Sequence, residues 1–237
     1  MKLKLPLPLT IIVGSLLLLG PGLPDAKESY RVLRERMVSR QIEARGIRDR
    51  AVLDAMEEVP RHLFVPEKVR SESYDDHPLP IGLGQTISQP YIVAFMTELL
   101  KLKPDHRIFE LGTGSGYQAA VASRIVKDVF TMEIYGELAG SAAQRLAELG
   151  YDNVHVKGGD GYYGWEEKAP FDAIIVTAAA DHIPPPLVKQ LRPGGRLIIP
   201  LGGPFSVQQL VLISKGTDGS TKEQSIIPVR FVPLLGH

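Results

Sequence analysis

The chain has 237 residues and no net formal charge, with 27 Lys and Arg against 27 Asp and Glu, and it is 44% hydrophobic and 23% charged. These are the proportions of a globular chain of one large domain; they exclude wholesale disorder and argue against a surface built for polyanions such as nucleic acid. Cysteine is absent, which excludes disulfides, thiolate nucleophiles, Cys-ligated zinc and iron–sulfur clusters. The six histidines, at 62, 77, 106, 155, 182 and 237, never fall three or four apart, so no helical His-pair metal site is expected.

Residues 1–26 (MKLKLPLPLTIIVGSLLLLGPGLPDA) differ from the rest. Lys2 and Lys4 precede an apolar run from Leu5 to Leu19, which Pro21, Gly22 and Pro24 end. This is the plan of a secretory signal peptide, and the run is short for a membrane span. Two readings stay open: an export signal or anchor, or an untranslated leader with Met37 as the start. Residues 27–237 are expected to form a single catalytic domain.

Residues 28–59 carry apolar positions at helical spacing, divided at Gly46. Residues 60–92, with five prolines and with Gly82 and Gly84, are expected to form a long loop free of long regular elements, as functional loops often are. A helix follows over 93–102. From 108 strands and helices alternate: strand 108–111, helix 117–126, strand 129–134, helix 137–150, strand 153–157, strand 171–179, helix 185–191 and strand 196–201. The run FDAIIVTAA (171–179) is apolar throughout, as a strand buried on both faces requires. Strands 207–215 and 226–232 flank GTDGST (216–221) and predict an antiparallel hairpin. The alternation predicts an α/β fold with a mostly parallel, doubly wound sheet, N-terminal helices and that C-terminal hairpin.

The strongest chemical signal is Glu110-Leu111-Gly112-Thr113-Gly114-Ser115-Gly116-Tyr117, which follows a strand and opens a helix. Glycines there let the backbone turn tightly and approach a ligand. Glu133, at the end of the next strand, stands where a carboxylate meets a ribose diol. A dinucleotide fingerprint would place a third glycine at 117, which is Tyr117. The ligand is therefore expected to be a nucleoside without a pyrophosphate, which argues against a nicotinamide-dependent oxidoreductase.

The run ELGTGSGYQAA (110–120) resembles the S-adenosylmethionine motif of Rossmann-like methyltransferases. Together with GLGQTISQPYIVA (82–94), GDGYYGW (159–165), APFDAIIVTAAA (169–180) and PGGRLIIPLG (193–202), it is similar to the protein-L-isoaspartate O-methyltransferases, from about Met37 to Leu234. The resemblance implies a Rossmann-like methyltransferase fold and S-adenosyl-L-methionine as methyl donor. It also implies methylation of the free carboxylate of L-isoaspartyl, and more weakly D-aspartyl, residues in damaged proteins, with repair through a succinimide. It implies Ser88 as the catalytic residue that positions the acceptor carboxylate, and Thr86, Ile87, Glu110, Gly112, Thr113, Gly114, Glu133, Asp160 and Gly161 as cofactor-binding residues, with Asp160 beside the adenine. No metal and no nucleic acid is expected. A monomer is expected, in the cytoplasm, with a periplasmic or membrane-anchored form as the alternative if residues 1–26 are retained; membrane contact would come only through them.

Each residue also has a plainer reading. Ser88 is placed to cap the helix that follows, Glu110 and Glu133 could be strand-end charges, and Asp160-Gly161 an ordinary turn. His62 and His182 are expected to be structural or exposed, and Trp165 to pack under a loop near the cofactor. A carboxylate acceptor, with a reference pKa of about 3.5–4, is ionised at neutral pH and needs no strong general base. This agrees with the lack of an evident His–Asp or Cys–His arrangement.

Overall fold

Residues 26–203 and 206–236 are described by the structure, a computed structural model. The leader and its possible signal or anchor role lie outside these residues, apart from Ala26. The N-terminal segment is helical, as its spacing predicts, and broken at Gly46: α1 (Ala26–Arg36) runs on through a short irregular turn before α2 (Arg50–Glu58). Gly46 sits at φ +102°, which favours glycine, and Asp49 caps α2 by accepting from the Ala51 N–H at 3.0 Å.

The proline-rich segment contains short 3-10 turns and one antiparallel hairpin, β1 (Leu79–Gly82) with β2 (Gln85–Ile87), pairing Leu79 with Ile87 and Pro80 with Thr86. Helix α3 (Pro90–Leu99) starts three residues earlier than its apolar pattern suggests, because proline at the first helical position needs no N–H partner.

The remaining strands are β3 (Arg107–Leu111), β4 (Asp128–Glu133), β5 (Val154–Gly158), β6 (Phe171–Val176), β7 (Leu191–Leu201), β8 (Gln208–Lys215) and β9 (Thr221–Val229). Between them lie α4 (Tyr117–Ser123), α5 (Gly136–Glu148) and α6 (Pro185–Gln190). They form one seven-stranded sheet in the order β5-β4-β3-β6-β7-β8-β9. The first five strands in that order are parallel, and β8 and β9 are antiparallel additions. The hairpin lies where the GTDGST turn predicts, although β9 begins earlier, at Thr221, and ends at Val229. β7 also begins earlier than the pattern suggests, at Leu191, with a shift in register opposite Phe171 and Ala173.

Both sheet faces are covered, which explains the apolar runs. Ile108, Ala173 and Ile175 face a core shared with the N-terminal helices, α3 and α4; Phe109, Phe171, Ile174 and Val176 face a second core with Leu187 of α6. The chain reverses direction across the sheet between β3 and β6. Such a switch point opens a crevice at the C-terminal ends of the strands, which is where the glycine turn and the β1–β2 hairpin meet.

Candidate active site

The glycine turn leaves β3 and is held from three sides. The Gly112 and Thr113 N–H groups donate to the Met132 carbonyl at 2.9 and 3.3 Å. The Glu133 carboxylate accepts from the Gly114 N–H at 2.8 Å and the Tyr135 N–H at 3.0 Å. The Thr177 hydroxyl, beyond the end of β6, lies 3.0 Å from the Leu111 carbonyl and 2.7 Å from that of Gly112. Gly112 has φ +99°, and a Cβ there would overlap Thr177 Oγ1. Gly112 is therefore required for the close approach of the turn to Thr177.

Two cavities border this turn and a groove adjoins them, all three sharing lining residues. The first is lined by Gly112, Gly114, Glu133 and Gly161 and by Val232–Leu235. A smaller one contains Ile87, Ser88, Glu110, Thr113 and Tyr117. The third is an open groove of about 1080 Å³ lined by Ser88, Ile92, Val207, Arg230 and Phe231. Thr86 and Thr177 line all three, and Ser88 stands where the second meets the groove. Thr177 was hidden from sequence reasoning by the apolar run around it; its place at the end of a central strand was the available signal.

Glu110 is fully buried. Its Oε2 accepts from the Thr131 hydroxyl at 2.5 Å, and Thr131 in turn lies 2.7 Å from the Thr113 hydroxyl. A hydroxyl donates one hydrogen, so Thr131 accepts from Thr113. Glu110 Oε1 has no partner among the described residues. Burial pushes the carboxyl up to about 8, opposed by the Thr131 bond and reinforced by the charge of Glu133. A buried, half-satisfied carboxyl beside a cavity suits a ligand cation, which would restore its missing partner.

Ser88 is not a helix cap: the cap position of α3 is Gln89, without a side-chain capping bond. The plain reading of Asp160 holds in part. Its Oδ1 accepts from the Tyr162 N–H at 2.9 Å and caps the short turn Gly161–Tyr163. This brings Gly161 to the cleft wall, while Asp160 lies one residue behind the lining.

His62 stacks on Tyr30, with ring centroids 4.1 Å apart, and its Nδ1 is 2.7 Å from the Tyr74 hydroxyl. Burial and the nearby Arg34 and Arg70 depress its pKa to about 4, so it stays neutral in a structural setting. His182 is exposed, against Asp181 and Tyr162. Trp165 packs edge-on to Phe130. Among the described residues no group of three or more His, Asp or Glu is placed to hold a metal ion, and no helix is long and apolar enough to cross a membrane.

The profile of the Protein-L-isoaspartate(D-aspartate) O-methyltransferase family matches residues 33–237. The chain is 57% identical to Protein-L-isoaspartate O-methyltransferase 1 of Nitrosospira multiformis over 94% of this chain and 95% of that relative. It is 52% identical to Protein-L-isoaspartate O-methyltransferase of Opitutus terrae over the same shares. Among solved structures, a protein-L-isoaspartate O-methyltransferase superposes with a TM-score of 0.79 at 31% identity, over 86% of this chain and 66% of that one. A putative protein-L-isoaspartate O-methyltransferase from Plasmodium falciparum, in complex with S-adenosyl-L-homocysteine, superposes with a TM-score of 0.73 at 27% identity, over 85% and 98%. On the match over residues 33–237 and the identity to these relatives, this chain belongs to the protein-L-isoaspartate(D-aspartate) O-methyltransferase family.

Proposed function

We propose that the three cavities divide the family reaction, methylation of the free carboxylate of isoaspartyl residues in damaged proteins by S-adenosylmethionine, into donor, junction and acceptor sites. The carrying observation is the unpartnered Oε1 of buried Glu110, in a cavity that also contains Ser88. When bound, S-adenosylmethionine supplies an electrophilic methyl group on a cationic sulfonium.

The residues present fit that donor. Glu110 Oε1 is the partner for the ammonium of its methionine part. Glu133 keeps lone pairs for the ribose diol after accepting from Gly114 and Tyr135. Asp160, through the turn that it caps, stands by the adenine. Gly112, Thr113, Gly114, Gly161, Thr86 and Ile87 form the walls. The acceptor lies in the groove, where Ser88 donates a hydrogen bond to its carboxylate. The acceptor is already anionic, so no residue has to remove a proton. The chain supplies alignment and exclusion of water, which matter where opposite charges are neutralised as they meet. The β1–β2 hairpin and residues 232–235 cover the two sides of the site.

Ser88→Ala tests the division. The lost bond is to the acceptor, so kcat/KM for an isoaspartyl peptide should fall roughly ten- to a hundred-fold, or about 1–3 kcal/mol, while the Kd for S-adenosylhomocysteine stays unchanged. Wild-type turnover, or an equal loss in nucleoside affinity, would contradict the assignment.

We also place catalysis in the cytoplasm, because the donor is made there. Fractionation of native cells with sequencing of the mature N-terminus checks the compartment. A cytoplasmic product is expected, and a periplasmic product beginning near Lys27 would reject it.

A further inference from the structure

Helix α5 follows directly from β4, whose last residue is Glu133. Glu133 secures the start of the glycine turn by accepting from the Gly114 N–H at 2.8 Å. From within α5, Arg145 reaches back to the same turn and donates from Nη1 to the Ser115 carbonyl at 3.0 Å. The N–H of the same peptide group, that of Gly116, donates to the Thr113 carbonyl at 2.8 Å. One peptide plane of the turn is therefore held at both ends, one end by this guanidinium.

The restraint matters because the turn is intrinsically loose. Gly112, Gly114 and Gly116 all have positive φ, and glycine loses the most backbone freedom on ordering. Glu133 is itself a candidate ligand-binding group, so the carboxylate that holds Gly114 serves the turn and the ligand at once, on the lone pairs left after it accepts from Gly114 and Tyr135. Arg145 lies on the opposite side, among Leu63, Ser141, Gln144, Glu148 and Leu149 along an open groove of about 700 Å³, and does not line the three cavities of the site. Next to it, Leu146 packs against Gly116.

We propose that Arg145 is a positioning residue for the cofactor: its bond to the Ser115 carbonyl keeps the glycine turn in its binding shape when Glu133 engages the ligand. This rests on the reading that the turn holds the donor nucleoside. Arg145 acts through the backbone and touches neither acceptor nor transferred methyl, so its removal should weaken nucleoside binding and spare the chemical step.

The test uses the full chain with Arg145→Ala and Arg145→Met. Calorimetry should show the Kd for S-adenosylhomocysteine raised roughly ten-fold in both, the scale of one lost hydrogen bond to a charged donor. kcat at saturating S-adenosylmethionine should stay within about two-fold of wild type. Because the groove is open, millimolar methylguanidinium should restore affinity in Arg145→Ala, where it can refill the vacated space, and not in Arg145→Met. If Arg145→Ala fails to fold, Arg145→Lys, which can still donate to the carbonyl, is compared with Arg145→Met, and Lys should bind the more tightly. An unchanged Kd in a folded variant, an equal fall in kcat, or no advantage of added methylguanidinium or of Lys would overturn the proposal. Absence of S-adenosylhomocysteine binding by the wild type would instead refute the reading of the turn itself.

Discussion

Glu110 carries the sharpest conflict between burial and charge beside the glycine turn. Its carboxyl is fully buried, one oxygen bonds to Thr131, and the other has no partner among the described residues. Burial raises its pKa from 4.5 to about 8. Between those values the native state binds a proton that the unfolded chain has released, so the stability contributed by this proton is fully present below 4.5 and is lost as pH rises toward 8. Glu110→Gln removes the titration. Its stability relative to wild type should rise with pH across that window, by an amount on the order of a few kcal/mol at most, while its affinity for S-adenosylmethionine falls because an amide cannot pair with the donor's ammonium as a carboxylate does. Urea unfolding from pH 5 to 8.5, with calorimetry at pH 8, checks both. Parallel stability profiles, or unchanged affinity, would show that Glu110 is a structural residue only.

At the scale of elements, the glycine turn is shaped as much by β6 as by its own sequence. Gly112→Ala would bring a Cβ onto Thr177 Oγ1 and would require alanine at φ +99°. A loss of about 1–3 kcal/mol in stability is expected, with weakened nucleoside binding. Adding Thr177→Ala should relieve the overlap but not the backbone strain, so the double variant recovers part of the loss. A double-mutant cycle by urea unfolding measures this, and strict additivity would mean that the contact is not felt.

The turn was legible in the sequence because glycine spacing, the preceding strand and the acidic residue ending the next strand are local signals. The β1–β2 hairpin was not, because its pairing is hidden among prolines and its tip turns through Gly82, Leu83 and Gly84, all at positive φ, where leucine gives no turn signal. Thr177 and Arg145 were missed for another reason. Each acts on a peptide group distant in sequence, and only the assembled sheet brings them there. Ser88 stood out in the sequence only through its family motif; its place between two cavities is a property of the fold.

Across the whole molecule, the parallel strands set the crevice, and the segments at either side complete it. The β1–β2 hairpin brings Thr86 and Ser88 to the glycine turn from the N-terminal part of the chain. The segment after β9 brings Val232–Leu235 over the first cavity and Arg230 and Phe231 to the groove. The latter segment is tied down by Ala179, whose N–H donates to the Val232 carbonyl at 2.8 Å and whose carbonyl accepts from the Leu234 N–H at 2.7 Å. The two cavities and the groove thus meet only in the complete fold, at Thr86 and Thr177, with Ser88 between the second cavity and the groove. The central claim is that this junction passes a methyl group to an isoaspartyl carboxylate. The most direct measurement incubates the full chain with methyl-labelled S-adenosylmethionine and two peptides of identical sequence, one with isoaspartate and one with aspartate. Base-labile label on the isoaspartyl peptide alone is the expected result. No transfer by folded protein that binds S-adenosylhomocysteine, or equal labelling of the two peptides, would contradict it.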